Sequence, residues 1–219
     1  MNKKRSFTQN IWDIENYFYL NSDVSRIDKI ICHYEIFKKT VDIPGSIVEC
    51  GVFKGLSLIR FLNFRDLLDS KSKTVYGFDI FGKFPKQTIK RDNKFALLHD
   101  SKIGVGLNIK KLNNYLKIKK FKNFKLIKGQ IEKTLPEILD KKIIKKISFL
   151  HLDLDVYEPT KFSLESLYNK VSKGGIILID DYSRVHGATK ATNEFLKRNS
   201  KLKIETLKFD KKLKFIVKK

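Results

Sequence analysis

Cysteine is nearly absent: Cys32 and Cys50 are the only two, too few for a disulfide framework. Cys50 sits in an apolar stretch and reads as a small buried hydrophobe, so a reducing, cytoplasmic setting is expected. No apolar run approaches the roughly 20 residues needed to cross a bilayer, which argues against membrane insertion. The opening "MNKKRSFTQNIWDIENYF" carries basic residues but no continuous apolar core, so no signal peptide is expected. Acids are few as well, 24 Asp and Glu against 46 Lys and Arg, a formal net charge of +22. Yet arginine is scarce, and arginine is what nucleic-acid readers use for bidentate contacts. The densest basic stretches, "LKIKKFKNFKLIKG" and "DKKIIKKISF", flank apolar segments as solvated faces do. No specific nucleic-acid partner is expected, while an anionic polymer stays open as a substrate.

What is present is a chain of 219 residues, 42% hydrophobic and 12% aromatic, enough for one globular unit with a full core. Residues 23–39 carry Ile27, Ile30, Ile31, Tyr34 and Phe37 near the spacing of one helical face, and "DIPG" ends that helix. Short apolar runs then alternate with amphipathic segments. Strands are predicted at 46–52, 74–80, 124–130, 147–155 and 176–182. Helices are predicted from about Gly55, in "EKTLPEILD", from Glu158-Pro159 until Gly174-Gly175 stops it, and over 187–198. The Lys-rich middle, 81–123, holds a loop and one or two helices. "KIETLKF" and "KLKFIVK" look like a closing antiparallel hairpin. Near-continuous apolar strands in five β-α repeats indicate a parallel sheet covered on both faces. The expected fold is doubly wound, Rossmann-like α/β, with an N-terminal helical extension or lid over 1–43 and the main domain over 44–219.

In such sheets ligands bind beyond the carboxyl ends of the strands, where Glu49, Asp79, Asp153, Asp155, Asp180 and Asp181 all fall. "VECGVFKG" offers Gly51 and Gly55 for a tight turn and close backbone approach, without the Lys-Ser/Thr of a P-loop or the three glycines of a dinucleotide fingerprint. An acid two residues before glycine at a first strand end is the pattern of proteins that bind S-adenosylmethionine. Asp79, about thirty residues on, is placed to accept ribose hydroxyls; the competing reading is a helix N-cap. Asp153, Asp180 and Asp181 lie at the ends of what should be neighbouring strands, and three carboxylates together repel unless a cation or protons compensate. All-oxygen donors suit Mg²⁺ or Mn²⁺ rather than zinc. Asp155 reads as a loop or capping residue. His186 is a second candidate base, although a lone loop histidine is more often solvated.

The segments "VECGVFKG", "GFDIF", "KGQIEKTLP", "LHLDLDVYEPT" and "GGIILIDDY" resemble, in order and spacing, the macrocin O-methyltransferase (TylF) family. The resemblance runs from about residue 44 to 198. It implies a class I methyltransferase that uses S-adenosylmethionine and a divalent cation to methylate a sugar hydroxyl in a small molecule or glycan, and it carries a homo-oligomer as a possible partner. Carried over position by position, Glu49, Gly51 and Ser57 would hold the methionine end of the cofactor and Asp79 its ribose. Gly129, Gln130 and Ile131 would border adenine. Asp153, Asp180 and Asp181 would bind the metal, with Asp153 also taking the hydroxyl proton. Two alternatives compete: metal-dependent phosphoryl or nucleotide-sugar chemistry on the Asp cluster, and a basic nucleic-acid-binding module supported by net charge alone.

Overall fold

The computed structural model describes residues 10–219; residues 1–9 of the expected N-terminal extension lie outside the described residues. The chain opens with α1 (Ile11–Asn21) and α2 (Val24–Lys38), each started by an N-cap side chain. Asn10 accepts from Trp12 N and Asp23 from Ser25 N, satisfying amides that a helix start leaves free. Strands and helices then alternate: β1 (Ser46–Cys50), α3 (Leu56–Leu67), β2 (Val75–Asp79), α4 (Lys90–Lys102), α5 (Ile109–Ile118), β3 (Phe124–Lys128) and α6 (Ile131–Asp140). The second half holds β4 (Ile147–Leu152), α7 (Tyr157–Leu167), β5 (Val171–Ile179), α8 (His186–Arg198) and β6 (Lys214–Val217).

The six strands lie in the order β3-β2-β1-β4-β5-β6, all parallel except the β5/β6 pair. This is the expected mostly parallel, doubly wound sheet with an antiparallel close. Strand periodicity divides the core into two layers. Ile47, Val75, Phe149, Ile176 and Phe215 face α2, α3 and α5, meeting Phe37, Phe61 and Leu112. Val48, Phe78, Leu150, Ile177 and Ile216 face the other side, meeting Leu135, Leu164 and Phe195 of α6, α7 and α8. β4 is buried throughout, as a central parallel strand must be, whereas β3 at the edge is half-exposed. α2 is thus part of the core, while α1 buries no residue and exposes Trp12, Tyr17 and Leu20. No described helix is long and apolar enough to cross a membrane.

Two local expectations need correction. Gly174 and Gly175 do not stop α7, which ends at Leu167 and passes through a short 3₁₀ turn (Tyr168–Lys170). They lie inside β5, where Gly174 N donates to Lys218 O and Gly175 O accepts from Lys218 N. The first arm of the closing hairpin shrinks to a single antiparallel bridge, Glu205 to Phe215. The chain between is drawn inward instead, with Leu207 and Leu213 buried and Asp210 accepting from Lys212 N and Leu213 N.

Candidate active site

The strand order reverses between β1 and β4, and the crevice opens there, as the topology of open sheets requires. A cavity of about 840 Å³ occupies it, lined by Gly51, Asp79, Gly129, Gln130 and Ile131 together with Asp153, Asp155, Asp180 and Asp181. Phe53, Phe81, Asp155 and Ser183, in the loops after β1, β2, β4 and β5, all hold positive φ between 51° and 67°. Each costs roughly 1–3 kcal/mol, strain that concentrates at functional loops. Gly51 (φ 92°) has a more specific reason: a Cβ there would stand 1.8 Å from Asp153 O. The first glycine loop therefore lies against the backbone that carries Asp153.

Asp79 holds this loop in shape. Its Oδ2 accepts from Val52 N at 2.8 Å and Phe53 N at 2.9 Å, and its Oδ1 accepts from Phe81 N at 2.5 Å. The carboxylate thus ties the loops after β1 and β2 together while still facing the cavity. Glu49 and Ser57 are placed differently from the cavity-lining residues. Glu49 is buried, and its Oε1 lies 2.9 Å from His151 Nδ1; Ser57 is buried in the first turn of α3; neither lines the cavity. His186 is exposed at the start of α8, also off the cavity wall.

The three predicted acids do converge: one oxygen each from Asp153, Asp180 and Asp181 lie within 4.8 Å of one another. Burial, followed by the charges of Asp180 and Asp181, pushes Asp153 well above the usual carboxylate range. Burial likewise lifts Asp181 to about 8, with Asp155 and Asp180 adding repulsion. Burial and then Asp153 do the same for Asp155, to about 8. Asp180 is the exception. Burial would raise it, but His151, His33 and Lys29 together hold it well below the usual range. Three clustered oxygen donors, two of them pushed towards the protonated form by burial and then by the charge of neighbouring carboxylates, are the donor set a hard divalent cation relieves.

The sequence carries these features as a family signature. Residues 24–216 match the macrocin-O-methyltransferase (TylF) family. The chain belongs to that family. Among curated relatives, this TylF-family chain is 30% identical over 162 residues to the demethyldecarbamoylnovobiocin O-methyltransferase of Streptomyces niveus, covering 70% of this chain and 59% of that protein. It is 25% identical over 169 residues to the mycinamicin III 3''-O-methyltransferase of Micromonospora griseorubida, covering 72% of this chain and 62% of that protein. The chain thus spans about three-fifths of the length of these relatives. Two solved structures share its fold. The O-methyltransferase NovP has a TM-score of 0.77 at 23% identity, over 88% of this chain and 80% of that one. The calicheamicin methyltransferase CalS11 has 0.76 at 20% identity, over 97% and 87%.

Several residues of this TylF-family site escaped sequence reasoning. Lys29 of α2 lines the cavity and places Nζ 2.5 Å from Asp180 Oδ2. His33, one turn further on, places Nε2 3.3 Å from Asp180 Oδ1. His151 is enclosed in β4, and the flanking carboxylates of Asp180 and Glu49 outweigh burial to lift it to about 10. Asp92 of α4, also buried, accepts from Tyr157 N at 2.7 Å, in space that Gly187 leaves open. Only His151 gave a local signal, a polar residue inside an apolar strand.

Proposed function

We propose that this chain is an S-adenosylmethionine-dependent O-methyltransferase acting on a sugar-like hydroxyl of a small molecule or glycan, with a divalent cation at Asp153, Asp180 and Asp181. One observation carries the reading: one cavity is lined both by the glycine loop with Asp79 and by the carboxylate cluster. Its volume of about 840 Å³ is near the upper range for ligand sites, which suits two molecules meeting head to head. Family membership and the names of the curated relatives support the same chemistry.

S-adenosylmethionine supplies a methyl group on a sulfonium, which an in-line displacement moves to the acceptor oxygen. Gly51 lets the first loop approach the methionine end, Asp79 faces the ribose, and Gly129, Gln130 and Ile131 border the base. Glu49 and Ser57 support this end from beneath the wall. A divalent cation, Mg²⁺ or Mn²⁺ by donor type, supplies Lewis acidity that lowers the pKa of a hydroxyl. Asp153 takes the hydroxyl proton as the oxygen–carbon bond forms and the sulfur–carbon bond breaks. Positioning contributes most of the acceleration in a displacement of this kind. Among the described residues of the expected N-terminal extension, Lys29 of α2 stands in the cavity wall, which supports a part for that segment in shaping the acceptor site.

The test has two parts. S-adenosylhomocysteine should bind in a calorimeter, and labelled methyl should pass from S-adenosylmethionine to members of a glycan and glycoside panel, but not in the presence of EDTA. Absence of S-adenosylhomocysteine binding would reject the reading outright.

A further inference from the structure

Beneath the carboxylate cluster, α2, β4 and β5 assemble a second set of ligating atoms with different chemistry. His33 Nε2 lies 3.3 Å from Asp180 Oδ1, and His151 Nε2 lies 3.5 Å from the same oxygen. The three ligand atoms fall within 4.8 Å of one another, and the side chains are 0%, 0% and 2% exposed. These separations are long for N–H···O hydrogen bonds, which centre on about 2.9–3.0 Å. Nitrogen and oxygen donors held tetrahedrally at about 2.0–2.1 Å from a zinc-class ion stand about 3.3–3.5 Å apart, the spacing found here.

The surroundings agree with a ligand set. His151 Nε2 makes no hydrogen bond, although it is buried and faces Asp180. Its other nitrogen, Nδ1, is 2.9 Å from Glu49 Oε1. Metal-binding imidazoles characteristically give their second N–H to a carboxylate, which fixes both ring and tautomer. His33 is held from its face by Phe61, with ring centroids 5.2 Å apart, and stands edge-on to His151 at 5.3 Å. Lys29 meets Asp180 Oδ2 and both histidines face Oδ1, so Asp180 is shared between this group and the carboxylate cluster. Glu49 Oε2 is buried without a partner. Glu49 and Asp180 place a buried carboxylate on either side of His151, a negative setting that favours a cation there.

We propose that His33, His151 and Asp180 form a buried site for a divalent transition metal of zinc type, with Glu49 as the residue that orients His151. Nitrogen donors separate this site from the all-oxygen cluster above it, because the two donor sets select different metals. The bound ion cross-links α2 to the ends of β4 and β5, so metal binding adds to folding free energy. The inference stands apart from the methyl-transfer reading, since it concerns metal content and not turnover.

Protein expressed with cobalt supplementation reports the site directly. One tightly held Co²⁺ per chain with tetrahedral visible bands is expected, surviving dialysis against Mg²⁺. The double variant Asp153→Asn/Asp181→Asn should keep those bands, and His33→Gln or His151→Gln should lose them. Glu49→Gln should keep the bands but bind about 10–100-fold more weakly. Wild-type chain that folds yet retains no cobalt, or cobalt with an octahedral spectrum that vanishes in the Asp153→Asn/Asp181→Asn variant, would overturn the proposal. Should the histidine variants fail to fold, the wild-type and double-variant spectra decide by themselves. Binding of S-adenosylhomocysteine, measured in parallel, separates this outcome from that of the methyltransferase reading.

Discussion

Replacing Asp79 by alanine removes three hydrogen bonds at once, because its carboxylate accepts from Val52 N, Phe53 N and Phe81 N. Hydrogen bonds to a charged group are each worth about 1.5–3 kcal/mol when one partner is deleted. Asp79 is only half-buried, so water re-solvates some of the freed amides. Relaxation of the positive φ at Phe53 and Phe81 returns some strain energy. The net loss of stability should therefore be on the order of 2–4 kcal/mol. For a chain of this length that lowers Tm by about 5–12 °C. The same substitution removes the acceptor proposed for the ribose hydroxyls, so S-adenosylhomocysteine should bind about 5–150-fold more weakly. Urea unfolding and calorimetry at a temperature well below both transitions measure the two effects separately. Lower stability with unchanged cofactor affinity would reduce Asp79 to a loop clamp and refute its ribose role. Unchanged stability would refute the clamp itself.

Asp153→Asn and Asp181→Asn should each depress methyl transfer by roughly 10²–10⁴-fold, and EDTA should abolish wild-type activity until Mg²⁺ or Mn²⁺ is returned. Measured without metal, these two variants should match or exceed wild-type stability, since each relieves repulsion within the cluster; a Tm loss would argue that the acids are structural. Asp180→Asn should instead destabilise the metal-free chain by roughly 3–5 kcal/mol, because it strips Lys29 of its partner. Gly51→Ala should cost more than about 4 kcal/mol, since the new Cβ meets backbone at 1.8 Å and cannot be accommodated by a rotamer change; soluble, cooperatively unfolding variant protein would contradict that contact. Truncation after Asn199 removes β6 and uncovers the edge of β5 along Ile176–Ile179, so light scattering should report aggregation.

The alternation of strands and helices, and the acids at strand ends, were legible in the sequence because both are local. A short, β-branched and aromatic apolar run such as "ISFLHL" favours a buried strand, and the residues that follow it then emerge at the sheet's carboxyl edge. Their places at the ends of neighbouring strands already grouped Asp153, Asp180 and Asp181, and the fold brings them together in space. What periodicity could not supply was facing. Glu49 sits one residue before the end of β1, opposite His151 across the β1/β4 pair, and so turns towards α2 and α3 rather than into the cavity. Nor could it supply partners distant in sequence: Lys29 and His33 reach Asp180 only because α2 folds back across the strand ends. Gly174 and Gly175 read as a helix stop until Lys218, just past β6, bonded to them, and 203–209 read as a strand until Leu207 was drawn into the core. Local pattern decides which elements exist, because backbone hydrogen bonding and amphipathicity act over a few residues. Which side chains meet around Asp180 is decided by non-local packing, whose contacts leave no period in the chain.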